Sequence, residues 1–416
     1  MTNPDVVIVG AGAAGIGAGL ELQARGVPFV ILEAANRIGG RAFTDTASLP
    51  GHWDQGCHWF HCADVNPLVA WADRLGTVYE RQDRMEESVL WAGDHWGDAA
   101  ETHLSLAAVE AAFDAVYQAA GRGADVPISE VIPDGGRWTP LVRHILQLMA
   151  CDDPEQVSVK SYADYDDTDV NWSVTSGYGD LIERMAAGMP IRLATPVSRI
   201  DQKARGVRVT TPAGTIAAKA VIVTVSTNVL LSGAIAFGPG PANALLDKVQ
   251  HVPCGTYEKI AIALRQLPPE LEGKQFCWIN GGRGERSFGF QISGGAHPKL
   301  IAHLAGSQAR DLLQGGRAAM VDHATERLTT AFGSDAGKLI LATAVTGFQS
   351  SPLFQGGYSY TRPGHAQDRH DMIAAETGNV SFAGEAFCLQ WQATAHGAYQ
   401  SGRDVAGRVV KNMAMN

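Results

Sequence analysis

The sequence predicts an α/β protein, and three features predict it. A glycine-rich βαβ unit opens the chain, strands of alternating polarity fill its middle, and its last forty residues return to a strand followed by a long helix. The opening unit is the most specific. Residues 5–9 are an apolar strand that runs into Gly10-Ala11-Gly12-Ala13-Ala14-Gly15 and then into a helical pattern. A second apolar strand, 29–32, ends on Glu33, eighteen positions after Gly15. Strand, glycine turn, helix, second strand and acid together form the dinucleotide-binding fingerprint. Gly10 permits the tight turn, Gly12 lets a pyrophosphate approach the backbone, and Gly15 lets helix and strand pack closely. The free N–H groups of the first helical turn then meet the phosphates.

Composition narrows the class. At 416 residues the chain exceeds the usual size of one core, so two domains are expected. A formal net charge of −10 argues against nucleic acid as partner. The six cysteines (57, 62, 151, 254, 277 and 388) lack metal-ligand spacing and are too sparse for a disulfide scaffold. They read as reduced thiols of a cytoplasmic protein with no metal centre. The N-terminus has no basic region before its apolar run, which excludes a signal peptide. No apolar stretch reaches the ~18 residues of a membrane span.

Along the chain, Asn36 to Arg41 form a glycine turn flanked by two arginines, and 53–61 are dense in aromatics and imidazoles. Helical spacing marks 66–76 and 105–120, and 139–150 read as a helix entered through Thr139-Pro140. An acidic segment follows, with Asp152, Asp153, Glu155, Asp164, Asp166, Asp167 and Asp169. It reads as a solvated loop, or as a mouth that concentrates a cationic substrate. From 190 the pattern is β: 191–193, 197–202, 206–211 and 214–218 alternate around a hairpin-like Pro212-Ala213-Gly214. Residues 220–225 are continuously apolar, as in a strand buried on both faces. Strands at 256–264, 275–279 and 287–292 suggest a second, mostly antiparallel sheet. A helix at 317–332, strands at 339–347 and 379–383, and a helix at 393–412 complete the reading.

Further segments occur in a fixed order: GGR at 39–41, DQGCHWFH at 54–61, SGYGDLIERM at 176–185, PVSRI at 196–200 and VIVTVSTNVL at 221–230. GTYEKIAIAL at 255–264, GGYSYTRPG at 356–364 and FAGEAFCLQWQATAHGAYQSGRDVA at 382–406 follow. With these, the chain resembles the flavin-dependent amine oxidases, the group that includes monoamine and polyamine oxidases. The resemblance spans nearly the whole length and is weakest over 80–170 and 295–345. It implies a Rossmann-like FAD-binding domain assembled from 1–78, 176–246 and 354–416. An α+β substrate domain with a mostly antiparallel sheet would fill 79–175 and 247–353.

The resemblance also implies roles. Gly10, Gly12, Ala14 and Gly15 would meet the pyrophosphate, and Glu33, beside Ala34, would accept hydrogen bonds from the adenosine ribose. Gly39, Gly40 and Arg41 would bring backbone and positive charge to the phosphates. Gly56, Cys57, His58 and Trp59 would lie against the flavin, and Val197 would meet the adenine. Gly384 and Glu385 would reach the phosphate and ribityl hydroxyls. The helix beginning near Thr394 and Ala395 would aim its N–H groups at the pyrimidine edge, where reduction places negative charge.

Lys259 lies in an alternating strand whose spacing alone allows a buried or an exposed side chain. The resemblance gives it the catalytic role of holding a water near flavin N5, to assist reoxidation by dioxygen or hydrolysis of the imine. Burial would lower its pKa toward neutrality. No Ser-His-Asp arrangement, paired carboxylates or metal cluster is visible, which fits hydride transfer to a cofactor. The implied reaction takes hydride from the carbon beside a neutral amine and yields an imine, then a carbonyl compound, with hydrogen peroxide from dioxygen.

Departures from the family pattern bear on the substrate. The two cage tyrosines of monoamine oxidases are matched here by Ser359 and Thr394. Tyr358 or Trp391 could replace one wall, or simply pack in the core. Tyr358 also stands where some relatives carry a flavin-linking cysteine, so FAD is expected to be non-covalent. Phe348-Gln349 occupy a place where the family often has tryptophan. His61 matches a pocket position that is polar in polyamine oxidases and suggests a polar or multiply charged amine; the alternative is a buried structural histidine. Three rivals stand beside amine oxidation. One is oxidation of a C–C bond, and another is an amino-acid oxidase using Arg143, Arg283 or Arg286 for the carboxylate. The third is a flavin-binding protein without catalysis. The expected partners are a small amine and dioxygen, with no nucleic acid and no membrane; homo-oligomerisation is left open.

Overall fold

The computed structural model describes residues 4–81, 87–282 and 284–415. Arg283 lies outside them. Val6–Val9, buried at every position, occupy the centre of a five-stranded parallel sheet. The order across it is Val380–Phe382, Ala220–Val223, Val6–Val9, Phe29–Leu32, Ile191–Arg192. Val6 pairs with Phe29 on one side and Ala220 on the other. Successive side chains leave opposite faces, so Val6, Ile8, Ile31 and Ile222 enter one core while Val7, Val9, Val30, Leu32 and Val221 enter another. Both faces are covered, hence the unbroken apolar runs.

On the first face, helix Ala13–Ala24 packs along helix Ala395–Met415. Glycines set the approach: a Cβ on Gly17 would stand 2.3 Å from the Tyr399 carbonyl oxygen, and one on Gly402 would stand 2.0 Å from that of Ala14. The two ends of the chain are thereby locked together. The second face meets a four-stranded sheet, in which the hairpin Val207–Thr211/Gly214–Ala218 pairs with Arg199–Gln202.

A six-stranded sheet runs Ile340–Val345, Tyr257–Leu264, Lys299–Ala305, Phe288–Ser293, Phe276–Ile279, Ser88–Trp91. All its pairs are antiparallel except the last. Lys299–Ala305 is central, pairs with both Tyr257–Leu264 and Phe288–Ser293, and was not read from the sequence. All seven of its residues are buried, so it lacks the polar alternation that betrays a half-exposed strand. Helices Ala99–Gly121 and Thr139–Ala150 share one core with Trp278 and Ala305, and helix Gly316–Phe332 shares another with Ile262 and Leu300. The first of these helices starts six residues earlier than its apolar spacing suggests, because Asp98 caps it by accepting from the Glu101 N–H at 2.9 Å.

The acidic segment is not one solvated loop. Asp152 is buried and pairs with Arg310 at 2.8 Å, Asp153 pairs with the same guanidinium at 2.6 Å, and Glu155 pairs with Arg143 at 2.7 Å. Asp164 meets His370 at 3.0 Å, and Asp166, Asp167 and Asp169 are exposed, as is the paired Glu155. Beyond it, Trp172–Val174 pair with Trp59–Phe60 and Tyr79–Glu80, so a three-stranded sheet crosses the expected domain boundaries near 78 and 175. No helix among the described residues is long and apolar enough to cross a membrane, and all six cysteines are unpaired.

Leu300 is fully buried in the strand that the sequence concealed. Leu300→Ala should lower unfolding free energy by about 2–5 kcal/mol in denaturant titration, and a loss under about 1 kcal/mol would contradict its place in the core.

Candidate active site

The site begins at the glycine turn, where each glycine has a different physical reason. Gly10 has φ +106, and a Cβ on Gly15 would stand 1.9 Å from the Gly10 carbonyl oxygen, so the fold itself requires both. Gly12 is different: its φ is −80, and a Cβ there would meet nothing closer than 3.8 Å. Neither backbone nor packing demands glycine at this position. Its bare backbone leaves a cradle in front of helix Ala13–Ala24, whose first turn is buried yet has neither a side-chain cap nor an acid. Buried, uncapped N–H groups call for an anionic partner. Gly39 and Gly40 line the opposite side, Gly39 donating its N–H to the Ala11 carbonyl at 2.9 Å.

Glu33 is buried at the end of its strand. It accepts from the Ala11 N–H at 2.7 Å and, across Ala34, from the Ala35 N–H at 2.8 Å. Each oxygen keeps a second lone pair, enough to accept from a ribose diol. The Thr195 N–H donates to the Glu33 carbonyl at 2.8 Å, which lays the chain leading to buried Val197 alongside. These residues fit the adenosine and pyrophosphate of a dinucleotide.

Arg41 leads into a buried polar array. Its guanidinium donates to Glu385 Oε1 at 3.1 Å and to the Gly357 carbonyl. Glu385 Oε2 accepts from Ser359 Oγ at 2.6 Å, and Ser359 Oγ accepts from Arg369 Nη1 at 3.1 Å. Gly384, next to it, donates its N–H to Ser401 Oγ at 3.2 Å. Ser359, expected at the substrate pocket, is engaged in this array. Arg369 is fully buried, and burial lowers its pKa to about 10 against the pull of Glu385. Its Nη2 has no partner among the described residues. Nothing in its helix signalled it from the sequence; only folding brings it to Glu385.

Lys259 is 3% exposed and donates to the Gly56 carbonyl at 2.5 Å, the Asp54 carbonyl at 3.2 Å and His58 Nδ1 at 3.0 Å. Burial lowers its pKa to about 8, with the Asp54 carboxylate working the other way. Its side chain faces the loop from the N-terminal third, not solvent. That loop is pressed close: a Cβ on Gly56 would stand 1.6 Å from the Arg41 carbonyl oxygen. Asp54 holds the loop by accepting from the Tyr178 N–H at 2.9 Å. Burial pushes the Cys57 thiol up to about 12, so it stays protonated.

His58 and His303 flank the lysine, with ring centroids 5.3 Å apart. Burial first, then the Lys259 charge, holds both well below the ordinary imidazole range. His303 lies opposite Lys259 in strand register, and Tyr257 Oη is 2.8 Å from its Nδ1. Its Nε2 is 3.1 Å from Gln291 Oε1. Since that oxygen can only accept, the imidazole proton sits on Nε2 and Tyr257 donates to Nδ1. His303 and Gln291 were not singled out from the sequence: the His303 strand lies in a region of weak resemblance, and the Gln291 strand was read only as a strand. Tyr257 packs on Tyr358 with centroids 5.4 Å apart, and the Tyr358 hydroxyl donates to the Leu148 carbonyl. Trp59 contacts the His58 ring edge-on at 5.9 Å and stacks on Phe276 at 6.2 Å.

Thr394 Oγ1 donates to the Trp391 carbonyl at 2.7 Å and accepts from the Gly397 N–H at 3.0 Å, capping the helix that Ala395 begins. Trp391 lies against His396, centroids 5.1 Å apart. His61 is exposed and its Nδ1 is 2.7 Å from Asn171 Oδ1, so it is not a buried structural histidine. Phe348 and Gln349 donate their N–H groups to Glu258 at 3.1 and 2.8 Å, on the face of the strand opposite Lys259. Arg143 and Arg286 are paired, with Glu155 and Asp311, each at 2.7 Å.

The two glycines separate folding from binding. Gly15→Ala should lower the melting temperature of the cofactor-free protein. Gly12→Ala should leave that temperature within about 2 °C and weaken flavin binding at least about tenfold in fluorescence titration. Equal flavin affinity in Gly12→Ala and the parent would contradict the cradle.

The comparisons with known proteins agree with this geometry. The family model for flavin-containing amine oxidoreductases matches residues 13–410. The chain is 26% identical over 445 residues to lysine-specific histone demethylase 2 of Homo sapiens, covering 98% of this chain and 53% of that protein. It therefore spans about half the length of that relative. Polyamine oxidase 2 of Arabidopsis thaliana is 26% identical over 438 residues, covering 96% of this chain and 86% of its own. Among solved structures, cyclohexylamine oxidase from Brevibacterium oxydans has a TM-score of 0.80 and 19% identity, covering 99% of this chain and 100% of that one; this shows the fold. With a matched region running from the helix just behind the glycine cradle into the last helix, the chain belongs to the flavin-containing amine oxidoreductases, and its cofactor is a flavin.

Proposed function

We propose that the protein oxidises a polar or multiply charged amine with non-covalent FAD, giving an imine and, with dioxygen, hydrogen peroxide. The observation that carries this reading is the Lys259 ammonium, buried against residues 54–58 with its pKa lowered to about 8. When bound, the flavin would accept hydride from the carbon beside a neutral amine and pass the electrons on to dioxygen.

The chain's own residues supply the rest. The glycine cradle and Arg41 would hold the phosphates, and Glu33 the ribose. Lys259 would hold a water and exchange its proton near neutrality. Neutral His58 and His303 add no positive charge against the substrate. Tyr257 and Tyr358 would give the carbon skeleton an aromatic wall in place of the two-tyrosine cage. Exposed Asp166, Asp167 and Asp169 and the His61–Asn171 pair support a polar amine, as do the polyamine oxidases among the relatives. The engaged Arg143 and Arg286 give an amino-acid carboxylate no support.

We assign the cofactor to 1–78, 176–246 and 354–416, supported by the parallel sheet whose five strands fall in those segments. The amine goes to 79–175 and 247–353, which supply the six-stranded sheet. Six unpaired thiols support a reducing compartment such as the cytoplasm.

Anaerobic mixing with a panel of primary, secondary and polyamines should bleach the yellow protein with at least one amine; no bleaching across the panel would end the reading. Lys259→Met should slow turnover at least about tenfold. In the parent, reoxidation of prereduced enzyme should quicken as pH rises through about 8, where Lys259 becomes neutral, and this limb should be absent from the variant. A limb that survives in Lys259→Met would remove the lysine from the chemistry. Acid precipitation should release the colour to the supernatant, whereas a yellow pellet would refute non-covalent FAD.

A further inference from the structure

Three side chains outside the candidate active site converge on one point. His251 follows helix Ala242–Val249, and His365 immediately precedes helix Ala366–Ala374, which carries Asp368 in its first turn. His251 Nδ1 is 2.8 Å and His365 Nδ1 is 2.9 Å from the same oxygen, Asp368 Oδ2. The ligating atoms of all three lie within 4.8 Å of one another, and no other such group of histidine, cysteine, aspartate or glutamate occurs among the described residues. The two imidazoles stack with centroids 3.6 Å apart and planes 17° apart. The second carboxylate oxygen of Asp368 accepts from Lys248 Nζ at 3.0 Å, and Lys248 also pairs with Asp371 at 2.6 Å. Asp368 is thus oriented from behind, with Oδ2 turned to the two rings.

We propose that His251, His365 and Asp368 bind a divalent transition-metal ion of the zinc class. Two imidazole nitrogens and one carboxylate oxygen suit zinc, cobalt or nickel, whereas calcium and magnesium favour oxygen donors throughout. Tetrahedral ligation at Zn–N of about 2.0–2.1 Å places neighbouring ligand atoms about 3.3 Å apart. The present separations at Oδ2 are within about half an ångström of that, and ligation requires the stacked, half-buried rings to turn until both Nδ1 lone pairs point at one ion, with each ring proton moved to Nε2. The side chains are 27%, 39% and 18% exposed, so the ion has a path from solvent and a fourth position for water. Lys248 acts as the outer partner of the ligating carboxylate. Sequence spacing hides the group, since 114 positions separate His251 from His365. Once bound, the ion would join the segment after one helix to the start of another.

Flavin-loaded enzyme, stripped with chelator and dialysed, should be titrated with Co²⁺ by visible absorption and with Zn²⁺ by calorimetry. The parent should bind one ion per chain, and the cobalt spectrum should lack the thiolate charge-transfer band that cysteine ligation would give. His251→Gln and His365→Gln should each weaken binding at least about tenfold, and the double variant should abolish it. Zn²⁺ should raise the melting temperature of the parent and not that of the double variant. Unchanged flavin absorbance would show that the variants are folded. No binding by the parent, equal binding by the double variant, or a thiolate band would each overturn the site.

Discussion

Lys259 places a nitrogen cation where water is almost excluded, and a buried ammonium must be met by acceptors or lose its proton. Both happen in part. Residues 54–58 offer two carbonyl oxygens and an imidazole nitrogen, and burial still lowers the lysine pKa to about 8. This contact joins the antiparallel sheet to the loop that follows the glycine cradle, and it can form only if that loop lies close. Gly56 permits the approach, since any side chain there would collide with the Arg41 carbonyl. The same loop thus sets the position of Arg41, which anchors the buried polar array.

That array is the second constraint. Arg41, Glu385, Ser359 and Arg369 come from four separate stretches; Glu385 and Arg369 are buried and Arg41 is half-buried, at a cost that their neighbours offset. Removing Glu385 would leave two guanidinium groups without their carboxylate, so the array favours a single arrangement of the surrounding loops. It also accounts for a serine at 359: a small hydroxyl bridges carboxylate and guanidinium where a ring would separate them. Tyr257, two positions before Lys259 on its strand, packs on Tyr358, and the pair is held by His303 and the Leu148 carbonyl.

Local rules reach far into this fold. The turn at Gly10–Gly15, strand Phe29–Leu32, the hairpin through 212–214 and helix Thr139–Ala150 were all legible, because glycine sterics, apolar periodicity and a proline in the first helical turn act over a few residues. The family and its flavin were legible for a related reason: the bare glycine turn and the acid after it, which a dinucleotide calls for, are short local motifs. Strand Lys299–Ala305 was not, since full burial on both faces erases its alternation. The acidic run misled, because Asp152 and Asp153 owe their surroundings to Arg310, more than 150 positions away.

The sequence by itself determined which residue types could cradle a dinucleotide and that a lysine would stand in the strand at 259. Only the tertiary structure decided which face that lysine took, which acceptors met it, and that Ser359 would join Arg369 and Glu385. It also decided that His303 would sit beside Tyr257, and that His251, His365 and Asp368 would meet at one point. Periodicity is written along the chain, but burial, charge pairing and tautomer depend on neighbours brought together only by packing.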